Sequence, residues 1–329
     1  MGLQLFQKMG NIRIAICATS VLAQMGLAQG CLRATITACH QALQLADQQP
    51  EPILQGTRDL YLVLSELHYE QGHLDTAYQL LQKGEELREQ GSTIGFDYFS
   101  WLVKAQLTAA EGDLDKALEQ LQEAARLYRR SPLPNIRPIE ALRVRWWLQQ
   151  GRLAVAMGWL QKSGLSVDDE PNYRREYEHL ILARVLLEQY RRDGIGDIVD
   201  QVIGLLSRLL SAAESQNRTA SMIKILVVLA LTHEAQGDAP AALASLERAL
   251  TLAEPEGHVR IFADCGPPMT KLLQVARTPN ITPTYTHQLL TALETWGQQH
   301  QPSPLPQVAE RSRSAPSPQP LLDPLSQRE

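Results

Sequence analysis

The sequence predicts an all-α protein built as a solenoid of stacked helical hairpins. Three observations carry that prediction. First, apolar residues recur at helical spacing from Met222 to Ala235, are interrupted at Gly237-Asp238, and resume from Ala241 to Leu252. Two helices joined at a glycine have only a small apolar face to bury, so such a hairpin needs neighbours of its own kind. Second, the turn glycine returns at Gly30, Gly72, Gly112, Gly151 and Gly194 as well as Gly237, at intervals of about forty residues. Third, the flanking positions repeat with it. Ala77, Ala117, Ala156 and Ala242 follow their glycines at one fixed offset, and Leu81, Leu121, Leu160 and Leu246 follow at another. Before the turn stands Ala23, Ser65, Ala105, Val144 or Ala230. Small residues on both helices let the axes approach, and the leucine fills the space beyond.

Taken in order, residues 1–46 read as the first hairpin, turning at Gly30. Lys8 and Arg13 precede the apolar run Ile14 to Leu22, and Leu27-Ala28-Gln29-Gly30-Cys31 could be read as a secretory processing site. Thr19, Ser20 and Gln24 interrupt that run, so a repeat explains it better, and no stretch is expected to cross a membrane. From Gln55 to Tyr128 two further hairpins are expected, with loops broken by Gly91, Pro132 and Pro134. Pro138 to Ser163 forms another and carries Arg143, Arg145, Trp146 and Trp147. Basic residues beside tryptophan can stack on nucleobases or ligands, but tryptophans at helical spacing belong more often to a core. A helix from Tyr173 to Glu188 closes at Gly194, where Leu187 and Val199 depart from the small-residue rule. Short helices from Met269 to Val275 and from Thr284 to Trp296 are expected to cap the array. In all, residues 1–300 are expected to hold about six helix pairs plus caps. Residues 301–320, rich in proline, serine and glutamine, read as a linker whose Arg311 and Arg313 are too few for a nucleic-acid arm.

Two segments, Gly-Asp-Leu-Asp-Lys-Ala at Gly112 to Ala117 and Gly-His-Leu-Asp-Thr-Ala at Gly72 to Ala77, resemble the turn and second helix of tetratricopeptide (TPR) repeats. The resemblance implies a TPR-like helical-hairpin solenoid wound as a right-handed superhelix, with loops longer than those of the usual repeat of about 34 residues. The run from Ala249 to Met269, ALTLAEPEGHVRIFADCGPPM, is similar to the end of the repeat region in MalT-like, ATP-dependent LuxR-family transcriptional regulators. In that family a nucleotide-binding switch precedes the repeats and a helix-turn-helix follows them. Residues 321–329, ending in Leu325-Ser326-Gln327-Arg328-Glu329, look like the opening of the LuxR-type DNA-binding domain. Ser326 and Glu329 have the spacing of a capping box, which announces a helix. The resemblance therefore implies that the reading head is cut as it begins, and that DNA is met only through that missing domain.

The 329 residues are 44% hydrophobic but only 5% aromatic, which suits stacked helices. A formal net charge of −5 argues against a surface built to hold phosphate backbones. Cys17, Cys31, Cys39 and Cys265 show no metal or redox spacing, so a reduced cytoplasmic interior is expected. No phosphate loop, HExxH helix or GxSxG elbow is present. His68 and His233 occupy equivalent places near the ends of their helices, where packing explains them better than metal binding. The Asp264-Cys265 turn offers a thiol with no closer base than Arg260, which does not make a reactive cysteine. Neither catalysis nor a resident cofactor is expected.

What the sequence offers is a surface. Counting back from each turn glycine puts Asp59, Glu66 and Tyr69, then Gln106, Arg145, Arg184, Glu188 and Arg191, then Lys224 and Glu234, on the concave side. The groove should be acidic early and basic in the middle, unless these are ordinary solvated helix faces. By the resemblance, the groove would bind a small-molecule inducer or a regulatory protein and relay its occupancy to an ATPase and a DNA-binding head. A freestanding TPR scaffold for protein–protein interaction is the competing expectation, and self-association is a further partner to test.

Overall fold

The computed structural model describes residues 11–49, 55–87, 96–128, 137–194, 196–277 and 281–299. The linker at 301–320, the opening of the LuxR-type domain at 321–329, and Lys8, Gly91, Pro132 and Pro134 lie outside the described residues. All regular elements among the described residues are helical. Six antiparallel pairs follow one another. They are α1 (Ile12–Gln29) with α2 (Leu32–Asp47), α3 (Thr57–Glu70) with α4 (Leu74–Glu86), and α5 (Phe96–Ala110) with α6 (Leu114–Leu127). Then come α7 (Ile139–Gln149) with α8 (Leu153–Ser163), α9 (Glu176–Asp193) with α10 (Gly196–Ser215), and α11 (Thr219–Gln236) with α12 (Ala239–Ala253). Three more helices finish the array: α13 (Arg260–Ala263), α14 (Pro267–Ala276) and α15 (Pro283–Gln299).

The six repeated glycines form the turns between paired helices, all with φ between 69 and 94°. In that left-handed region a Cβ would be strained, which is why the punctuation is glycine. In two turns the next residue starts the second helix: Asp113 Oδ1 accepts from the Lys116 N–H and Asp238 Oδ1 from the Ala241 N–H, each at 3.0 Å. The repeated positions are buried as their spacing requires. Ala77, Ala117, Ala156 and Ala242 are fully enclosed, as are Ser65, Ala105, Val144 and Ala230, and Leu121 and Leu246 are buried with them. Leu160 is only half-buried. The fifth pair, despite Leu187 and Val199, packs as a regular hairpin with both residues in the core. Trp146 joins the core, and Trp147 lies beneath the Arg152 guanidinium at 5.8 Å.

The core divides into two large apolar clusters, one spanning α1 to α7 and the other α9 to α15, with a small cluster around α7, α8 and α9 between them. The caps α14 and α15 pack on the sixth pair and on α13. Sequence reasoning did not anticipate that the array bends far enough for its ends to meet. Helix α11 packs against α1, and α13 against α3. A Cβ placed on Gly30 would stand 2.8 Å from that of Ala220, so this meeting is close.

One expectation needs correction. Helix α1 has eighteen residues and a mean hydropathy of 1.3, long and apolar enough by those measures to cross a membrane. Its buried face, including Ala15, Ile16 and Ala23, packs against α2, α3 and α11. Those neighbours bury 33% of the stretch, and Ile14, Leu22 and Met25 remain exposed.

Candidate functional site

The residues 254–266 run across the inside of the superhelix as a clasp. A 3₁₀ turn at Glu254–Glu256 ends at Gly257, and the short α13 follows. The Val259 N–H donates to the Glu70 carbonyl at 2.8 Å, a main-chain bond between residues at opposite ends of the array. Around it, the Gln71 side chain donates to the Glu256 carbonyl at 3.0 Å, and the Arg33 N–H donates to the Glu256 carboxylate at 2.8 Å. His258 Nε2 lies 3.2 Å from the Gly30 carbonyl, which fixes Nε2 as the donor. The Tyr285 hydroxyl donates to the His258 carbonyl from the cap. Gly72 meets the clasp so closely that a Cβ there would stand 2.8 Å from Val259 Cγ1.

Asp264 is the polar centre of the clasp and is buried. Its carboxylate accepts from Arg145 at 2.6 Å and from the Tyr69 hydroxyl at 3.1 Å, and it pairs with Arg260 in its own segment. Its carbonyl accepts from Gln149 at 2.9 Å. One residue thus ties the second pair, the fourth pair and the clasp together. Burial alone would push the Asp264 carboxyl up, but the guanidiniums of Arg260 and Arg145 outweigh it and hold the group below the usual carboxylate value. Burial and the adjacent Asp264 carboxylate push the Tyr69 phenol well above its ordinary value, so it stays a donor.

Beside the clasp lies a partly open chamber of about 310 Å³. Its walls come from α1 (Met25, Leu27, Ala28), α5 (Tyr98, Phe99, Leu102), the start of α7 (Ile139) and α11 (Ala220, Lys224), and His258 and Ile261 of the clasp complete them. Tyr98 meets Tyr128 edge-to-face, ring centres 5.2 Å apart. A smaller cavity of about 70 Å³ adjoins it, lined by Tyr69, Gln106, Arg145, Arg184 and Asp264 among others. Glu70, Leu102, Arg137, Lys224 and Ile261 belong to both. Arg137 pairs with the fully buried Glu66 and lies 3.8 Å from Glu70. Burial pushes the Glu66 carboxyl above its ordinary value, with Arg137 opposing. Burial lowers the Lys224 ammonium, and Arg137 nearby adds to this.

Of the ten residues placed on the concave side by counting, Tyr69, Gln106, Arg145, Arg184 and Lys224 come together around the smaller cavity. Glu66 lies behind them, covered by Arg137. Glu188 and Arg191 line a separate open notch near Gly151, where Arg191 bonds Glu188 at 2.7 Å and Glu234 at 3.4 Å. Asp59, in the first turn of α3, is fully buried and lines neither cavity. The expected gradient from acidic to basic is replaced by cross-pairing, because Arg137 of a later hairpin reaches back onto Glu66 of an earlier one. Sequence reasoning missed Arg137, Glu70, His258, Arg260 and the Tyr98/Phe99 wall. The crowding of Phe96, Tyr98, Phe99 and Trp101 in a chain only 5% aromatic was the one available signal for that wall.

A family model described as the MalT-like TPR region matches residues 3–279. Among solved structures, the complex of the TPR2AB domain of yeast Sti1 with pHSP90 is similar at 15% identity and a TM-score of 0.29, covering 88% of this chain and 100% of that one. No curated protein matches the chain.

Proposed function

The chain belongs to the MalT-like TPR region family, and from that premise we propose that it is the sensor module of a LuxR-family, ATP-dependent transcriptional regulator in the cytoplasm. Its chamber takes a small-molecule inducer, and occupancy is relayed to nucleotide-binding and DNA-binding parts carried elsewhere. The observation behind this reading is the closure of the array. The bond from Val259 to the Glu70 carbonyl holds the clasp, whose His258 and Ile261 form part of the wall of the partly open chamber. An occupant there touches α1, α5, α11 and the clasp at once, so it favours the closed arrangement over an open one. Differential affinity of that kind is what a relay requires. A volume of about 310 Å³ suits a small molecule better than a folded partner, which would need a broad face.

A thermal-shift screen of small metabolites, followed by amide hydrogen exchange on the hits, tests the sensor half. Ligands of the chamber raise the melting temperature and slow exchange at the Val259 amide. If no small molecule stabilises the chain, while a protein partner binds and leaves Val259 exchange unchanged, the molecule is a scaffold instead. Transcript profiling with and without the gene tests the regulatory half: transcripts indifferent to its deletion in the presence of the ligand would remove that half.

A further inference from the structure

The charges around the two cavities do not balance. The chain carries a formal net charge of −5, yet Arg137, Arg145, Arg184, Lys224 and Arg260 line the smaller cavity. Five cations there face three carboxylates, Glu66, Glu70 and Asp264. Arg137 is satisfied by Glu66 and Glu70, and Arg145 and Arg260 share Asp264. The nearby Glu176 is matched by Arg218. Lys224, which Glu70, Glu176 and Glu66 attract only at longer range, and Arg184 are left without a paired carboxylate. Among the described residues no carboxylate lies within 4.0 Å of the Lys224 ammonium, and Arg184 reaches only the Cys265 sulfur, at 3.5 Å. A partly buried cation without a counter-ion costs free energy that an arriving anion recovers. Burial already depresses the Lys224 ammonium, and a carboxylate beside it would raise it again.

The larger chamber has the opposite character. Tyr98, Phe99, Tyr128, Leu102, Met25 and Ile139 make most of its wall. A cavity of about 150 Å³ is enough for one benzene ring, so 310 Å³ has room for a body of about two fused rings or an equivalent chain. Lys224 stands where the two cavities join. The smaller one, about 70 Å³, has room for a carboxylate.

Resting on the reading that the chamber takes a small molecule, we propose that its ligand is a small amphiphilic anion. The flat or aliphatic body lies against Tyr98, Phe99 and Leu102, and the anionic head sits between Lys224 and Arg184.

Calorimetric titration of the whole chain with 2-naphthylacetate, the uncharged 2-naphthylethanol, and acetate tests this. Naphthylacetate is expected to bind about tenfold tighter than naphthylethanol, since a hydrogen bond to a charged group contributes at least that much, and tighter than acetate. Lys224→Met, which keeps the apolar stem, removes the advantage of naphthylacetate over naphthylethanol. If circular dichroism shows that variant unfolded, Lys224→Gln is read in its place. Ala28→Trp, filling the chamber from α1, abolishes both ligands. Equal affinity for naphthylacetate and naphthylethanol would overturn the charge assignment and leave the sensor reading standing. Binding that survives Ala28→Trp would place the ligand elsewhere and overturn it as well. If neither naphthyl ligand binds the wild-type chain, the inference fails, and the sensor reading fails with it only if the metabolite screen is also empty.

Discussion

The fourth and sixth hairpins share one turn signature and are held in place by different balances of forces. In the sixth, α11 is buried on nearly every side, from Ile223 to Thr232, and α12 adds Ala242, Leu246, Ala249, Leu250 and Ala253 to the same core. In the fourth, both helices are eleven residues long, and Ala156 is the only buried residue of α8. The fourth pair has a smaller apolar core, Ala141, Val144 and Ala156 against Ile181 and Val185 of α9, and polar ties supplement it. Arg145 and Gln149 bind Asp264 of the clasp, and Arg137, just before α7, binds Glu66 of the second pair. A repeat signature therefore specifies the hairpin, while the neighbours decide how far apolar area or buried charge secures it.

The difference can be broken from either side. The largest effect is expected from Asp264→Ala, which leaves the buried Arg260 and the half-buried Arg145 without their shared carboxylate, at a cost of about 3–5 kcal/mol in urea unfolding. The loss should appear first as faster exchange in α7 and α8. Next, Leu246→Ala opens a cavity in the sixth pair and costs about 3 kcal/mol. The equivalent Leu160→Ala, at a half-buried site in the fourth, costs clearly less by the same measurement. Equal losses would mean that the fourth pair is as apolar in its support as the sixth.

Two turn glycines give a smaller and more controlled contrast. Gly151→Ala meets no atom within 4 Å and carries only the left-handed backbone penalty, about 1 kcal/mol. Gly72→Ala carries the same penalty and also drives a methyl against Val259, so it should cost about 2 kcal/mol in all and speed exchange at the Val259 amide. The smallest effect concerns pH. Burial, the largest influence on His258, pushes its folded pKa below 6.5, so just below pH 6.5 the unfolded chain binds more protons than the folded one. The stabilisation from neutral His258 is complete above 6.5 and is lost as pH falls through the folded value. Exchange at the Val259 amide should rise in that window, and His258→Gln should flatten the rise.

Much of the fold was legible because a hairpin is a local object. The left-handed turn needs glycine, the close crossing needs Ala77 or Ala242, and both requirements fall within a dozen residues of each other. The site was less legible. Counting back from the glycine finds the inward stripe of a helix but not the depth at which a residue sits along it. Asp59 at the start of α3 was therefore grouped with Tyr69 at its end, although only Tyr69 reaches the cavity. The bond between Glu70 and Val259 depends on the accumulated curvature of several pairs, which no local pattern records. The segment from Ala249 to Met269 stood out by family resemblance, but its position inside the superhelix follows from that same curvature.

The meeting of Glu70 with Val259 also limits how such a protein can change over evolutionary time. A row of units open at both ends can grow or shrink by duplication or deletion of one unit, with little harm to the others. Here one extra hairpin would swing the later units by the width of a helix layer, about 10 Å, and carry Val259 out of register with its acceptor. The number of units is therefore set by the geometry of closure.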